Sequence, residues 1–206
     1  MVGAGAGVSR TRAVRALVTG PGGAVRVVGL ACVLVALVAR GPVDAALFLL
    51  VMAGLVVPVA ARAPRGLDVA YGVGLLAAAW CGALDLYQEV WWLDVVMHLV
   101  VTGLVAAVTH LLLARSTHAV ADPTVLDGGA TRAGSVAVTA ALGLALSVLW
   151  EVGEYLGQTY ADPTIFADYP DTVGDLVMGG LGSVAAGLWL TAGRRDVTPG
   201  RRPPRP

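Results

Sequence analysis

Six long apolar segments set what this 206-residue chain can fold into. They lie at roughly residues 24–39, 43–61, 67–84, 93–114, 133–156 and 173–192. A helix needs about 20 residues to cross the ~30 Å hydrocarbon core of a bilayer. Inside lipid each backbone N–H and C=O must be satisfied internally, so segments of this kind are expected to be helices. Composition points the same way. Hydrophobic residues make up 57% of the chain and charged ones 14%, against about 25% charged in a soluble domain. The expected fold is all-α: a polytopic transmembrane bundle of six helices in one domain, residues 24–192. A flexible tail over residues 1–23 and a basic, proline-rich, disordered tail over 193–206 flank it.

The first segment is short, and its Arg26 must sit near an interface. A signal peptide is the rival reading, since arginines precede the apolar stretch Val27 to Ala39. Arg40-Gly41-Pro42 offers no small-residue cleavage site, which favours an uncleaved helix.

All 14 basic residues are arginines, and 13 fall in the N-terminal region, the 62–68 loop, the 115–132 loop and the C-terminal tail. The other three connections hold only Arg40. By the positive-inside rule, both termini are expected in the cytoplasm of a bacterial inner-membrane protein. Trp80, Tyr87, Trp91, Trp92, Trp150, Tyr155, Tyr160, Phe166 and Tyr169 fall near the outward ends, as an interfacial belt would. Cys32 and Cys81 lie inside apolar runs and read as small packed hydrophobes.

Ionisable pairs interrupt three of these segments: Asp94 with His98, Glu151 with Glu154, and Asp171 with Asp175. Charge inside a bilayer is costly and marks function. The topology puts all three pairs at one depth, near the outer leaflet. Residues at i and i+4 differ by about 40° around a helix, so short ladders stay on one face. Asp175 leads to Gly179 and Ser183; Glu151 follows Gly143 and Ser147; Asp94 and His98 lead to Thr102. Small residues let membrane helices approach closely, which turns the acids into the bundle. Four such steps drift by ~160°, so His110 is expected to face elsewhere.

Clustered carboxylates in a poorly solvated site bind cations or hold protons. Carboxylates with one imidazole and no thiolate suit a divalent metal ion such as Zn, Mn, Fe or Mg. The expected metal ligands are Asp94, His98, Glu151 and Asp175, with Glu154 or Asp171 as general base or ligand to a second metal. Asp171 also suits an N-cap, Asp94 a first helical turn, and His98 a hydrogen-bonded core histidine. Asp85 and Glu89 read as exposed loop acids, and His118, Asp122 and Asp127 as solvated loop residues.

At these residues the chain resembles the YjdF-like family of bacterial integral membrane proteins. The resemblance rests on Asp94 to His98 followed by Gly103, on Trp150-Glu151-Val152-Gly153-Glu154-Tyr155, and on Asp171-Thr172-Val173-Gly174-Asp175 followed by Gly182. It covers roughly residues 91–187, and the first three helices resemble only generic spans. Typical members carry a basic residue beside the first aspartate, where Val95 stands here, so a counter-charge is missing. The resemblance implies a shared site and brings no assigned activity.

The leading expectation is metal-assisted hydrolysis or transfer on a lipid-linked substrate at the outer leaflet. The alternatives are a proton- or cation-coupled transporter or channel, and a non-catalytic assembly protein. Membrane lipids are the expected partners and nucleic acid is not, since topology and anionic lipid account for the tail arginines.

Overall fold

In the computed structural model, residues 17–125, 131–165 and 167–192 are described. Most of the expected tails, Asp127 and Phe166 lie outside the described residues. The elements in order are α1 (Gly20–Ala39), α2 (Pro42–Gly54), α3 (Val57–Ala60), α4 (Arg65–Ala83), α5 (Leu86–Glu89), α6 (Trp91–Leu112), α7 (Arg132–Tyr160) and α8 (Tyr169–Ala192). A π-helical turn, Leu113–Thr117, extends α6. Among the described residues the protein has helices and no strand, with six helical spans long and apolar enough to cross a membrane.

The second span is broken where the sequence suggested one continuous helix. It stops at Gly54 and restarts as the single turn α3. Pro58 has no N–H to give the Gly54 carbonyl, which ends the ladder there. The Leu55 carbonyl accepts instead from Nε of Arg26, at 2.8 Å. The same guanidinium pairs with Asp68 in the first turn of α4. Arg26 is thus buried, not merely interfacial, and clamps α1, the break in the second span and α4 together.

Two groups of three helices result. In the first, α1, α2 and α4 close around Val33, Phe48, Val51, Leu55 and Leu76. Trp80 belongs to this packing and not to the belt. Its ring lies 4.9 Å from that of Phe48, and its Nε1–H donates to Cys32 Sγ at 3.3 Å. In the second group, α6, α7 and α8 pack against one another. A second core joins the groups through Leu67 and Tyr71 of α4, Val108 and Leu111 of α6, and Leu190 of α8.

The second group is built inside out relative to a soluble bundle. Every buried residue of α7 is small or polar: Ser135, Thr139, Gly143, Ser147 and Glu151. Its Leu144, Val148, Leu149 and Val152 are exposed. That pattern is stable only where the surroundings are lipid. The columns continue across the interface as His98, Thr102, Ala106 and His110 on α6, and Asp175, Gly179, Ser183, Gly187 and Thr191 on α8, all buried.

These columns bring the backbones together. A methyl group on Gly103 would lie 2.7 Å from the Gly182 carbonyl oxygen, and one on Gly182 would overlap the Leu99 carbonyl. A methyl on Gly143 would overlap Ser183. Small residues four apart let helices cross so that the i+4 rows stay in register over many turns. This geometry corrects the expectation for His110. Its ring does not turn away but remains in the column, 1% exposed, against Thr139 of α7.

Candidate functional site

The charged end of the α6–α8 bundle is assembled from five of the six residues expected there. Asp94 and His98 stand one turn apart on α6, and His98 is buried. Nε2 of His98 lies 3.5 Å from Oδ1 of Asp94 and 3.9 Å from Oδ1 of Asp175, while Nδ1 lies 3.9 Å from Oε1 of Glu151. Ligand atoms of Asp94, His98 and Asp175 all fall within 4.8 Å of one another, and so do those of His98, Glu151 and Glu154. Asp171 belongs to neither group. It sits in the first turn of α8, where its N–H donates to Asp168 Oδ1 at 3.0 Å, so Asp168 does the capping that Asp171 was weighed for.

These spacings have a chemical meaning. A direct hydrogen bond needs about 2.7–3.2 Å. Two donors bound to one cation at ~2.1 Å each stand roughly 3.0–3.5 Å apart, and slightly more for a larger ion. The gaps here are too long for hydrogen bonds; the one of 3.5 Å matches such a chord, and the two of 3.9 Å lie somewhat beyond it. Oε1 of Glu151 and Oδ2 of Asp175 are buried without a hydrogen-bond partner. A buried carboxylate oxygen left unpaired costs several kcal/mol. Among the described residues the arginine ion pairs are Arg26–Asp68, Arg40–Asp44 and Arg115–Asp122, so no arginine neutralises the cluster.

Tyr87 stands over this end of the bundle, although its place in the chain suggested an interfacial anchor. Its hydroxyl donates to the Ala78 carbonyl at 3.0 Å. Burial first, then the nearby Cys81, Asp94, Glu154 and Asp175, push its phenol above the usual range, so it stays protonated. Gln88 beside it donates to the Thr164 carbonyl, tying α5 to the connection between α7 and α8. Trp91, Tyr155, Tyr160 and Tyr169 around the rim are exposed, as a belt requires. Asp85 and Glu89 are exposed, as expected of loop acids.

Below the charged end the column is polar but sparing. A methyl on Gly179 would lie 3.0 Å from Ser147 Oγ and 3.2 Å from Thr102 Oγ1, so these hydroxyls share one level. Ser147 Oγ is buried and has no hydrogen-bond partner. Ser183 donates to the Gly179 carbonyl at 2.7 Å. At the far end, Thr139 donates to the Ser135 carbonyl at 2.8 Å, so toward His110 Nδ1, also 2.8 Å away, it accepts. His110 Nε2 faces the Ala121 carbonyl at 3.2 Å. A cavity of about 160 Å³ opens here, lined by His110, Ala121, Thr131, Ser135 and Val138.

Sequence reasoning missed three contributors. Asp68 was legible in principle, because a buried Arg26 requires an acid at its own depth. Ser135 and Thr191 extend the i+4 ladders by one step at the far end. Asp122 is not simply solvated: Arg115 Nε donates to it at 2.8 Å and Thr124 at 2.6 Å. Burial alone would raise its carboxyl, but these hydrogen bonds outweigh it and hold the group below the usual range.

Comparison with known proteins extends the resemblance beyond residues 91–187. No curated protein and no solved structure matches the chain. A family described as a predicted membrane protein, DUF2238, matches residues 24–196, which takes in most of the first span and all of the other five. The chain belongs to this family of predicted membrane proteins, which agrees with the YjdF-like resemblance of its acidic motifs.

Proposed function

We propose that the α6–α8 cluster holds divalent metal that serves hydrolysis or transfer on a lipid-linked substrate. The observation that carries this reading is the spacing around His98. One carboxylate oxygen stands 3.5 Å and two stand 3.9 Å from its ring nitrogens, beyond hydrogen-bond distance and near enough for a cation to draw the groups together. Asp94, His98, Glu151 and Asp175 are the ligands, and Glu154 or Asp171 accepts the proton of an attacking water. A bound divalent ion would supply a Lewis acid and lower the pKa of that water. The arginine distribution supports a reading with this end of the bundle outside and both termini in the cytoplasm.

Elemental analysis tests this. Protein purified without chelator is expected to carry stoichiometric divalent metal, which the Glu151→Ala, Asp175→Ala double variant loses. Metal-free wild-type protein sinks the proposal. If metal is present, hydrolysis of lipid-linked phosphoryl or acyl substrates in bilayers is the next assay.

One observation favours transport as a second reading. The polar column reaches from the cluster through Thr102, Ser147 and Ser183 to Thr139 and His110. Proton or cation flux in proteoliposomes, abolished by Glu154→Gln and lowered by His110→Ala, would favour it over hydrolysis.

A further inference from the structure

The four carboxylates around His98 do not surround one point. Asp94 and Asp175 share the Nε2 side of the ring, from α6 and α8. Glu151 lies off Nδ1, and Glu154 joins it from the same turn of α7. The two groups have only His98 in common. The two nitrogens of an imidazole point away from each other, so no single cation binds both. Each side also carries its own orphaned oxygen: Oδ2 of Asp175 on one, Oε1 of Glu151 on the other. Both residues are more than nine-tenths buried, at 2% and 7% exposure.

We infer that the cluster is a two-cation centre, with His98 as the bridge between an Asp94/Asp175 subsite and a Glu151/Glu154 subsite. The inference rests on the metal reading above and fixes its stoichiometry. The proton count is simple. As the second nitrogen takes its cation, the ring N–H proton leaves to water and the ring becomes a bridging imidazolate. Four carboxylates and one imidazolate carry five negative charges. Two divalent cations offset four of them and leave one, whereas one cation beside a neutral ring and four carboxylates leaves two buried charges uncompensated. The ions stand about 6 Å apart, from two metal–nitrogen bonds of ~2.0 Å across the ring. That assignment removes Glu154 from the role of general base and leaves Asp171, one turn toward the rim and outside both groups, as the proton acceptor.

Mn²⁺ alone is the probe, titrated into the full chain in detergent after chelator treatment. Two equivalents per chain are expected, with an electron paramagnetic resonance signal from coupled ions at saturation. Glu154→Gln should weaken one equivalent at least tenfold and leave the other. Asp94→Asn should do the reverse, and either variant should abolish the coupled signal. The wild-type signal needs no variant, so a variant that fails to fold does not end the test. One equivalent with no coupled signal overturns the two-cation centre but leaves the metal reading standing. Two uncoupled equivalents also overturn the bridge. No binding overturns both.

Discussion

Gly182 of α8 sits against the carbonyl oxygen of Leu99 on α6 so closely that any side chain there would overlap it. Leu99 follows His98 directly, and Asp175 lies two turns along α8 from Gly182. The backbone contact therefore sets the gap between His98 and Asp175. Gly182→Val should wedge the helices apart, at a cost of about 1–3 kcal/mol for overpacking. Divalent-metal affinity should fall with it, although no ligand is changed. Thermal unfolding in detergent read beside metal titration checks both effects, and unchanged affinity would show that α8 is not positioned this way.

Arg26, buried, and Asp68, partly exposed, form an ion pair far from the cluster. Removing Asp68 alone leaves the buried Arg26 charge unpaired, at a cost of up to about 3–5 kcal/mol, and removing Arg26 alone should cost less because Asp68 is partly exposed. Replacing both with apolar residues of similar volume, Arg26→Met with Asp68→Leu, should recover most of that loss. Metal content should stay at the wild-type level in the double variant. A double-mutant cycle on thermal stability measures the coupling.

Asp122 gives the stability a pH dependence at low pH. Its carboxyl lies below the usual range when folded, so its contribution is present above the unfolded value of ~3.9. That contribution is lost as pH falls through the lower folded value. Asp122→Asn should destabilise the protein near neutral pH by about 1 kcal/mol, allowing for partial exposure. Below about pH 4 the difference from wild type should narrow. Unfolding curves from pH 7 to pH 3 test the sign.

His110 separates hydrolysis from transport. His110→Gln keeps a hydrogen-bonding side chain near Thr139 and touches no cluster residue. The hydrolysis reading expects metal content and turnover within about twofold of wild type. Transport expects flux to fall while metal content stays unchanged.

Much of the fold and site was written locally. The apolar segments marked the spans, and i+4 spacing turned Asp94, His98, Glu151 and Asp175 to one interface before any contact was visible. What was missed depends on partners distant in sequence. Asp68 became meaningful only once Arg26 was found buried across α4, and Trp80 turned inward because Phe48 and Cys32 receive it. The break at Leu55 was signalled by Pro58, but its use as an acceptor for Arg26 was not. His110 was misjudged because a straight-helix drift was applied to helices whose crossing keeps i+4 rows in contact. The division of the carboxylates into two groups depends on which ring nitrogen faces which helix, and no spacing encodes that.

X-ray absorption at the metal edge of the purified, chelator-free protein tests the central claim most directly. The account predicts a divalent ion in an oxygen-rich shell with imidazole scattering and no sulfur, and loss of the imidazole signature in His98→Gln. No bound metal, a sulfur shell from Cys32 or Cys81, or a spectrum unchanged by His98→Gln would contradict it.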